Sequence, residues 1–394
     1  MTVLPPFARR LADIEPFRVV EVLTRARELA AAGRDIVHLE AGEPDFSTAP
    51  QIIAAAQAAL NEGHTYYSPA TGIPALKEAL AQWYADEYGV DVSPRRILIT
   101  PGASGALLLA AALLMNPGDG LLMTDPGYPC NRHFLRLVEG QGQLVPVGAE
   151  HRYQLVPELA EAHWQDNTRG IMVASPANPT GEILTRAELT GLVELCRRRN
   201  GFLVVDEIYH GLSYGGVATP SVLEITQDAL VINSFSKYFG MTGWRLGWMV
   251  APEAAVPDLE KLAQNLFISM STFGQYGALA AFEPETRAVL DERREQFARR
   301  RDFLLPALQQ LGFQISGVPA GALYLYAGLG GLYLNDPGEG SQRFALELLE
   351  RHGVAITPGV DFGQHRAEEH VRFAYTTSME RLEEAVRRLE RVFG

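Results

Sequence analysis

The sequence predicts an α/β protein: a large domain built on a seven-stranded, mostly parallel sheet sandwiched by helices, with a smaller α+β domain beside it. Three observations predict it. Between about Ser47 and Glu283 short apolar runs alternate with helical patterns, the signature of parallel strands joined by crossovers. After about Pro284 the chain changes to long charged helical patterns around two strand-like runs. Its 394 residues also exceed the roughly 250 to 300 at which a single core stops growing, so two lobes are expected.

Each strand of the large domain is short, mostly apolar and bounded by turn residues. In order they are RILIT (96–100), LLMT (121–124), QLVPV (143–147), IMVAS (171–175), FLVVD (202–206), LVINS (230–234) and LGWMV (246–250), all read as buried. Helical patterns at 104–115 and 186–199 fill crossovers between them. In the second, Leu189, Leu192, Val193 and Cys196 recur at helical spacing, so Cys196 belongs to the core. In the smaller lobe ETRAVLDERREQFARRRDFLLPALQQL reads as a long helix, GALYLY and HVRFAYT as strands, and ERLEEAVRRLERVF as a final amphipathic helix. The charge runs of these helices read as solvated faces. Domain boundaries are expected at 48–284 for the large domain, with 1–47 and 285–394 forming the small one.

Composition narrows the function. A formal net charge of −13 argues against nucleic acid or an anionic membrane as partner, because both require a basic surface. The longest apolar run, 106–115, falls short of the ~18 residues that suggest a membrane span, and the N-terminus lacks the apolar stretch of a signal peptide. Two cysteines, Cys130 and Cys196, suit a reducing compartment, so a cytoplasmic location is expected. The nine histidines form no metal-binding spacing, and no metal site is expected.

Open α/β sheets bind ligands at the carboxyl ends of their strands. There the sequence places PGASGAL after RILIT, Asn178 after IMVAS, Asp206 and Tyr209 after FLVV, and Ser234 to Lys237 after LVIN. Small residues opening a helix expose backbone N–H groups to an anion, typically phosphate, although the same turn also reads as a plain N-cap with Ser104 as the capping side chain. It is not a dinucleotide fingerprint. The lysine at 237 is conspicuous because the chain has only two others, Lys77 and Lys261, and otherwise uses arginine. Arginine stays protonated and is a poor nucleophile, so an amine that must condense with an aldehyde has to be lysine. Arg245 and the hydroxyls of Ser234 and Ser236 add donors for a phosphate. Phosphate and aldehyde together suggest pyridoxal phosphate.

The stretch SFSKYFGMTGWRLGW (234–248) resembles the lysine motif of the class I aminotransferases, the aspartate aminotransferase family of pyridoxal-phosphate enzymes with fold type I. GEPDF (42–46), YYSPATGIPALKEAL (66–80), TPGASGAL (100–107), DPGYP (125–129), SPANPTG (175–181), VVDEIY (204–209) and VRFAYTTS (371–378) resemble further motifs of that family in order, so the likeness runs from about residue 15 to the end.

The resemblance implies a role for each residue. Lys237 would hold the cofactor through its aldehyde and, once displaced by substrate, carry the proton from the substrate Cα. Asp206 would keep the pyridine nitrogen protonated. Tyr209 and Asn178 would hydrogen-bond the ring's phenolic oxygen, and Tyr128 would stack on the ring. Arg245, Ser234, Ser236 and the backbone of Ala103 and Ser104 would hold the phosphate, joined by Tyr67 from a neighbouring subunit of a homodimer. Arg372 would clamp the substrate α-carboxylate with help from Asn178 and the Gly42 backbone. Singly, each has a structural alternative, such as Tyr128 as a core aromatic or Arg372 as a strand-edge charge; together they form one site.

Three departures bear on specificity. Tyr128 stands where aspartate-specific members carry tryptophan, and Asn131 where they carry a histidine behind the Asp206 equivalent. NLFISMSTFGQYG (265–277) lacks the arginine with which those members read a second carboxylate. The expected function is therefore transfer of an amino group from a neutral, aliphatic, alanine-like or aromatic L-amino acid to a 2-oxo acid such as 2-oxoglutarate or pyruvate. Phe267, Ile268, Met270 and Phe273 are the expected apolar wall. Arg18 is the candidate for a 2-oxoglutarate carboxylate, with a solvated surface arginine as the alternative. A β-lyase or decarboxylase on the same residues remains open, because the motifs do not fix which Cα bond breaks. A cofactor-binding regulator would need a DNA-binding module for which the short N-terminus leaves no room.

Overall fold

Crossovers long enough to hold a helix let the apolar runs pair in parallel, and they do so in the computed structural model, which describes residues 6–332, 334 and 340–394. Strand β1 (Val37–His38) comes first. The central sheet comprises β2 (Ile97–Thr100), β3 (Gly120–Asp125), β4 (Gln141–Pro146), β5 (Thr168–Ala174), β6 (Phe202–Asp206), β7 (Leu230–Ser234) and β8 (Gly247–Val250). Their order is β2-β8-β7-β6-β5-β3-β4, and only β8 runs against its neighbours. The expected seven-stranded, mostly parallel sheet is therefore present, each strand within a few residues of its sequence assignment.

One strand departs from expectation. QLVPV was expected to be buried, but β4 ends the sheet and only Val145 and the following Val147 are fully covered. An edge strand has one unpaired side and so is less covered than the strands within the sheet.

Beyond the large sheet the chain adds β9 (Tyr324–Gly328), β10 (Val354–Ala355), β11 (Thr357–Pro358) and β12 (His370–Ala374). β12 pairs antiparallel with both β9 and β11, while β10 pairs parallel with β1. The start of the chain thus joins the C-terminal strands. A 27-residue helix, Pro284–Gln310, leads from the large sheet toward this smaller one, with proline at its start where a missing N–H costs nothing.

Helix Gly102–Leu114 lies against the sheet with an almost wholly apolar surface: nine of its thirteen residues are buried. Its N-cap position is Pro101, with no side chain capping the first turn. Ser104 falls inside the helix, so the alternative in which it served as the cap is not what the fold adopts. The uncapped N–H groups are left for another partner. Helix Arg186–Arg199 begins with a full capping box between Thr185 and Glu188, which fixes the crossover from β5 to β6.

Candidate active site

The carboxyl ends of β2, β5, β6 and β7 share one edge of the sheet, and a cavity of about 430 Å³ opens there. Gly42, Ala103, Ser104, Tyr128, Asn178, Asp206, Tyr209, Ser234, Ser236, Lys237, Arg245 and Arg372 all line it. Of the residues expected to hold the cofactor or the substrate α-carboxylate, Tyr67 alone is elsewhere, on the surface at 80% exposure beside Tyr66 at 84%. Two such tyrosines standing in water are unusual on a protein surface.

At one end of the cavity lies the helix start. Gly102 has φ of +68°, and a Cβ there would come within 2.6 Å of Arg245 Nη2, so only glycine fits. Arg245 is itself in the left-handed region at φ 53°, a strained conformation for a side chain that turns its guanidinium back onto this turn. Ser234 Oγ donates to the Leu246 carbonyl at 3.1 Å and contacts Ser236 Oγ at 2.9 Å, while the Ser236 N–H donates to Ser234 Oγ. Together the N–H groups, two hydroxyls and a guanidinium make a cationic cradle.

Lys237 also lines the cavity. Phe235, two residues before it, is fully buried against Trp248 and Phe239, which anchors the turn that carries the lysine. The Lys237 Nζ donates to the Gly42 carbonyl at 2.6 Å and lies 5.8 Å from the Tyr209 ring centre.

Deeper in, at the end of β6, successive side chains point to opposite faces. Asp206 turns into the cavity, accepting the Ile208 N–H at 3.1 Å, whereas Glu207 turns away to Ser221 and the Val222 N–H. Burial pushes the Asp206 carboxyl up to about 7, opposed by the Ile208 N–H and by nearby Lys237. A carboxyl in that position is stabilised by any further cation brought against it. Tyr209 hydroxyl meets Tyr324 hydroxyl at 2.7 Å, and burial raises the Tyr209 phenol well above its ordinary value.

Arg372 forms the other end. Its Nη1 donates to Asn178 Oδ1 at 2.9 Å, and its Nη2 donates to the Glu40 carbonyl at 2.7 Å and Thr357 Oγ1 at 3.2 Å. The guanidinium lies between two rings, 4.1 Å from Tyr324 and 4.8 Å from Phe362. Stacking leaves its edge as the only reactive direction, suited to a planar carboxylate. Tyr324 was not foreseen. Its signal was indirect: a Cβ on Gly42 would fall 2.1 Å from the Tyr324 hydroxyl, so the glycine is there for the tyrosine.

Several expected contacts are absent from this arrangement. Arg18 lines a neighbouring groove rather than this cavity, and its side chain pairs with Glu21 at 3.3 Å while its backbone N–H donates to Asp361. An exposed partner one helical turn away satisfies it more cheaply than a buried anion would. Phe267, Ile268, Met270 and Phe273 do not line the chain's own cavity either; Ile268 and Phe273 are exposed. The apolar wall is instead made by Phe17, Val19, Val20 and Leu23, from the start of helix Arg18–Ala31, with Leu107 and Ile208 opposite. Asn131, which stands where aspartate-specific members carry a histidine, has a buried side-chain oxygen with no hydrogen-bond partner.

Comparison with known proteins agrees with this geometry. Residues 34–389 match the family model described as aminotransferase class I and II. The chain belongs to that family. It is 37% identical to the valine–pyruvate aminotransferase of Mycobacterium tuberculosis, covering 96% of each chain, and 34% identical to the aspartate aminotransferase of Geobacillus stearothermophilus, covering 98% of each. Among solved structures, an aminotransferase from Mycobacterium tuberculosis superposes with a TM-score of 0.95 at 36% identity, covering 99% of both chains. The protein is thus a pyridoxal-phosphate-dependent transaminase of fold type I, acting on amino acids and 2-oxo acids. The cavity fits the cofactor: its lining brings together a phosphate cradle, a lysine and a buried carboxyl pushed up to about 7, the groups that a phosphate, an aldehyde and a pyridine nitrogen call for. Among the described residues no helix is long and apolar enough to cross a membrane.

Proposed function

We propose that the protein moves the amino group of a neutral L-amino acid to a 2-oxo acid. The observation that carries this reading is the division of labour in the cavity. Its cations are Lys237, Arg245 and Arg372, and each is committed to one group, whereas the side-chain end is walled by Phe17, Val19, Val20 and Leu23. A second carboxylate there would be buried without a partner, at a cost of several kcal/mol. The relationship to a valine–pyruvate aminotransferase supports the same choice, although relatives of similar identity are named for aspartate.

Bound in the cavity, pyridoxal phosphate would supply an aldehyde that condenses with amines and a ring that draws electrons from the substrate Cα. Around it the protein's tasks are positional and electrostatic. The helix start at Ala103 and Ser104, with Ser234, Ser236 and Arg245, grips the phosphate. Asp206 holds a proton on the pyridine nitrogen. Tyr209 and Asn178 donate to the phenolic oxygen, and Tyr128 covers the ring face. Arg372 fixes the α-carboxylate. Lys237 would bind the aldehyde and, when free, serve as the base for the substrate Cα proton.

The exposed Tyr66 and Tyr67, with Ile268 and Phe273, support a homodimer in which Tyr67 completes the neighbour's phosphate site. The small domain would comprise 1–47 and 285–394, of which 1–5, 333 and 335–339 lie outside the described residues; the β1–β10 pairing supports that division. A cytoplasmic location accords with the free Cys130 and Cys196. The test is kcat/KM for valine, alanine, methionine, phenylalanine, glutamate and aspartate. Neutral donors should lead by about tenfold or more, the least that one unpaired buried carboxylate implies; aspartate leading by that margin would overturn the substrate class.

A further inference from the structure

We propose that Asp45 and Arg300, which do not line the cavity, form a positioning clamp for the substrate-carboxylate end of the site. The proposal rests on the role given above to Arg372 and the Gly42 backbone.

Residues 39–48 cross the active site and are tied to both sides of it. The Leu39 carbonyl accepts from the Ala374 N–H, the Glu40 carbonyl from Arg372 and the Ala41 carbonyl from Thr376 Oγ1, each at 2.7 Å. From Gly42 onward the ties change side. The Gly42 carbonyl accepts from Lys237, Thr242 Oγ1 donates to Glu43, and Thr48 Oγ1 donates to the Gly240 carbonyl at 2.8 Å. Gly42 is therefore the point at which the segment passes from the arginine's neighbours to the lysine's.

Asp45 lies in this second half and is gripped from a third element. Arg300, on helix Pro284–Gln310, donates to both carboxylate oxygens at 2.7 and 2.9 Å. Arg300 is 5% exposed, and the Phe46 and Phe297 rings lie 5.0 and 5.2 Å from its guanidinium. Arg293, two turns earlier on the same helix, lies 5.2 Å from Phe46 as well. Adjacent residues of the segment thus engage one arginine in two ways, the carboxylate at its edge and the ring on its face. The pair adds little net stability, because Asp45 is partly exposed to solvent screening while desolvation of Arg300 offsets its attraction, but a bidentate fork fixes distance and plane. What it fixes here is the height of Gly42 between Lys237 and Arg372.

Two variants test the clamp: Asp45→Asn, at a partly exposed position where folding is not at stake, and Arg300→Lys, which keeps the charge and loses the fork. Amide hydrogen exchange of residues 39–48 is measured on the cofactor-free protein, alongside KM and kcat for L-alanine on the loaded enzyme. The expected result is faster exchange confined to 39–48, with KM raised about tenfold and kcat within about threefold of wild type. Arg300→Lys should fall between wild type and Asp45→Asn. Unchanged exchange and KM would overturn the clamp, as would faster exchange across both lobes with KM and kcat failing together, which marks a structural staple. Arg372→Lys is run in parallel. If it alone raises KM, the clamp falls and the carboxylate reading stands; if it leaves KM unchanged, that reading falls and takes the clamp with it.

Discussion

Asp206 shows how one position couples folding to chemistry. Its carboxyl keeps its proton to about pH 7 in the folded, cofactor-free chain, whereas an ordinary carboxylate loses it near pH 4. Between those values the unfolded chain binds fewer protons than the folded one. The stability this group contributes is therefore fully present below about pH 4 and is lost as pH rises through about 7. Relative to an Asp206→Asn variant, the cofactor-free wild type should lose stability over that window and change little above it, as read from denaturant midpoints at a series of pH values. Glu207, pushed up to about 8 chiefly by burial and least by the neighbouring Asp206 charge, is present in both proteins, so its burial contribution cancels and only the part due to Asp206 adds to the difference, in the same direction. A difference independent of pH would mean that Asp206 is already ionised without the cofactor. Residue identity was largely legible here: a carboxylate ending an apolar strand, three residues before a tyrosine, announces itself. Tyr324 and Thr357 did not, because what brings them to Arg372 is pairing among β9, β11 and β12, nor did Phe362, which ends the turn after β11; no local pattern reports either.

Among the elements, helix Gly102–Leu114 carries the most specific expectation. Its first turn has no capping side chain and its second neighbour, Arg245, fills the space where a Cβ on Gly102 would stand. Gly102→Ala should therefore weaken cofactor binding through the phosphate while leaving the fold intact. Measured by titration with pyridoxal phosphate and with inorganic phosphate, both affinities should drop by about tenfold, the scale of one or two lost charge-assisted hydrogen bonds. A loss for pyridoxal phosphate alone would locate the defect at the aldehyde instead. Strands and crossovers were readable from apolar runs and turn residues, with errors of a few residues at their ends. The helix Arg18–Ala31 was not. Its buried face is Val22, Ala26 and Leu29, with Glu21, Arg25 and Glu28 outside it, and its start is fixed by Asp361, which accepts the Arg18 N–H at 2.7 Å from 343 residues away. Arg18, expected as the carboxylate ligand, is the first residue of this helix in the structure.

At the scale of the molecule, the proposed homodimer concerns surfaces that a single chain leaves exposed. Tyr67 is exposed although the resemblance gives it a phosphate contact, and the 265–277 segment puts Ile268 and Phe273 into solvent. If two copies share their sites, mixing Tyr67→Phe with Lys237→Ala chains should yield hybrids in which one site carries both defects and the other carries neither. Activity after mixing should then exceed the sum of the two parents, as followed by amino-group transfer; strict additivity would mean that each chain works alone.

The most direct test of the whole account is borohydride reduction of the cofactor-loaded protein followed by peptide mass mapping, with and without prior exposure to L-alanine in the absence of an acceptor. The account predicts a cofactor adduct on Lys237 alone, which vanishes after alanine as pyruvate appears in equal amount to the subunits. An adduct on Lys77 or Lys261, or one on Lys237 that survives alanine with no pyruvate formed, would contradict it.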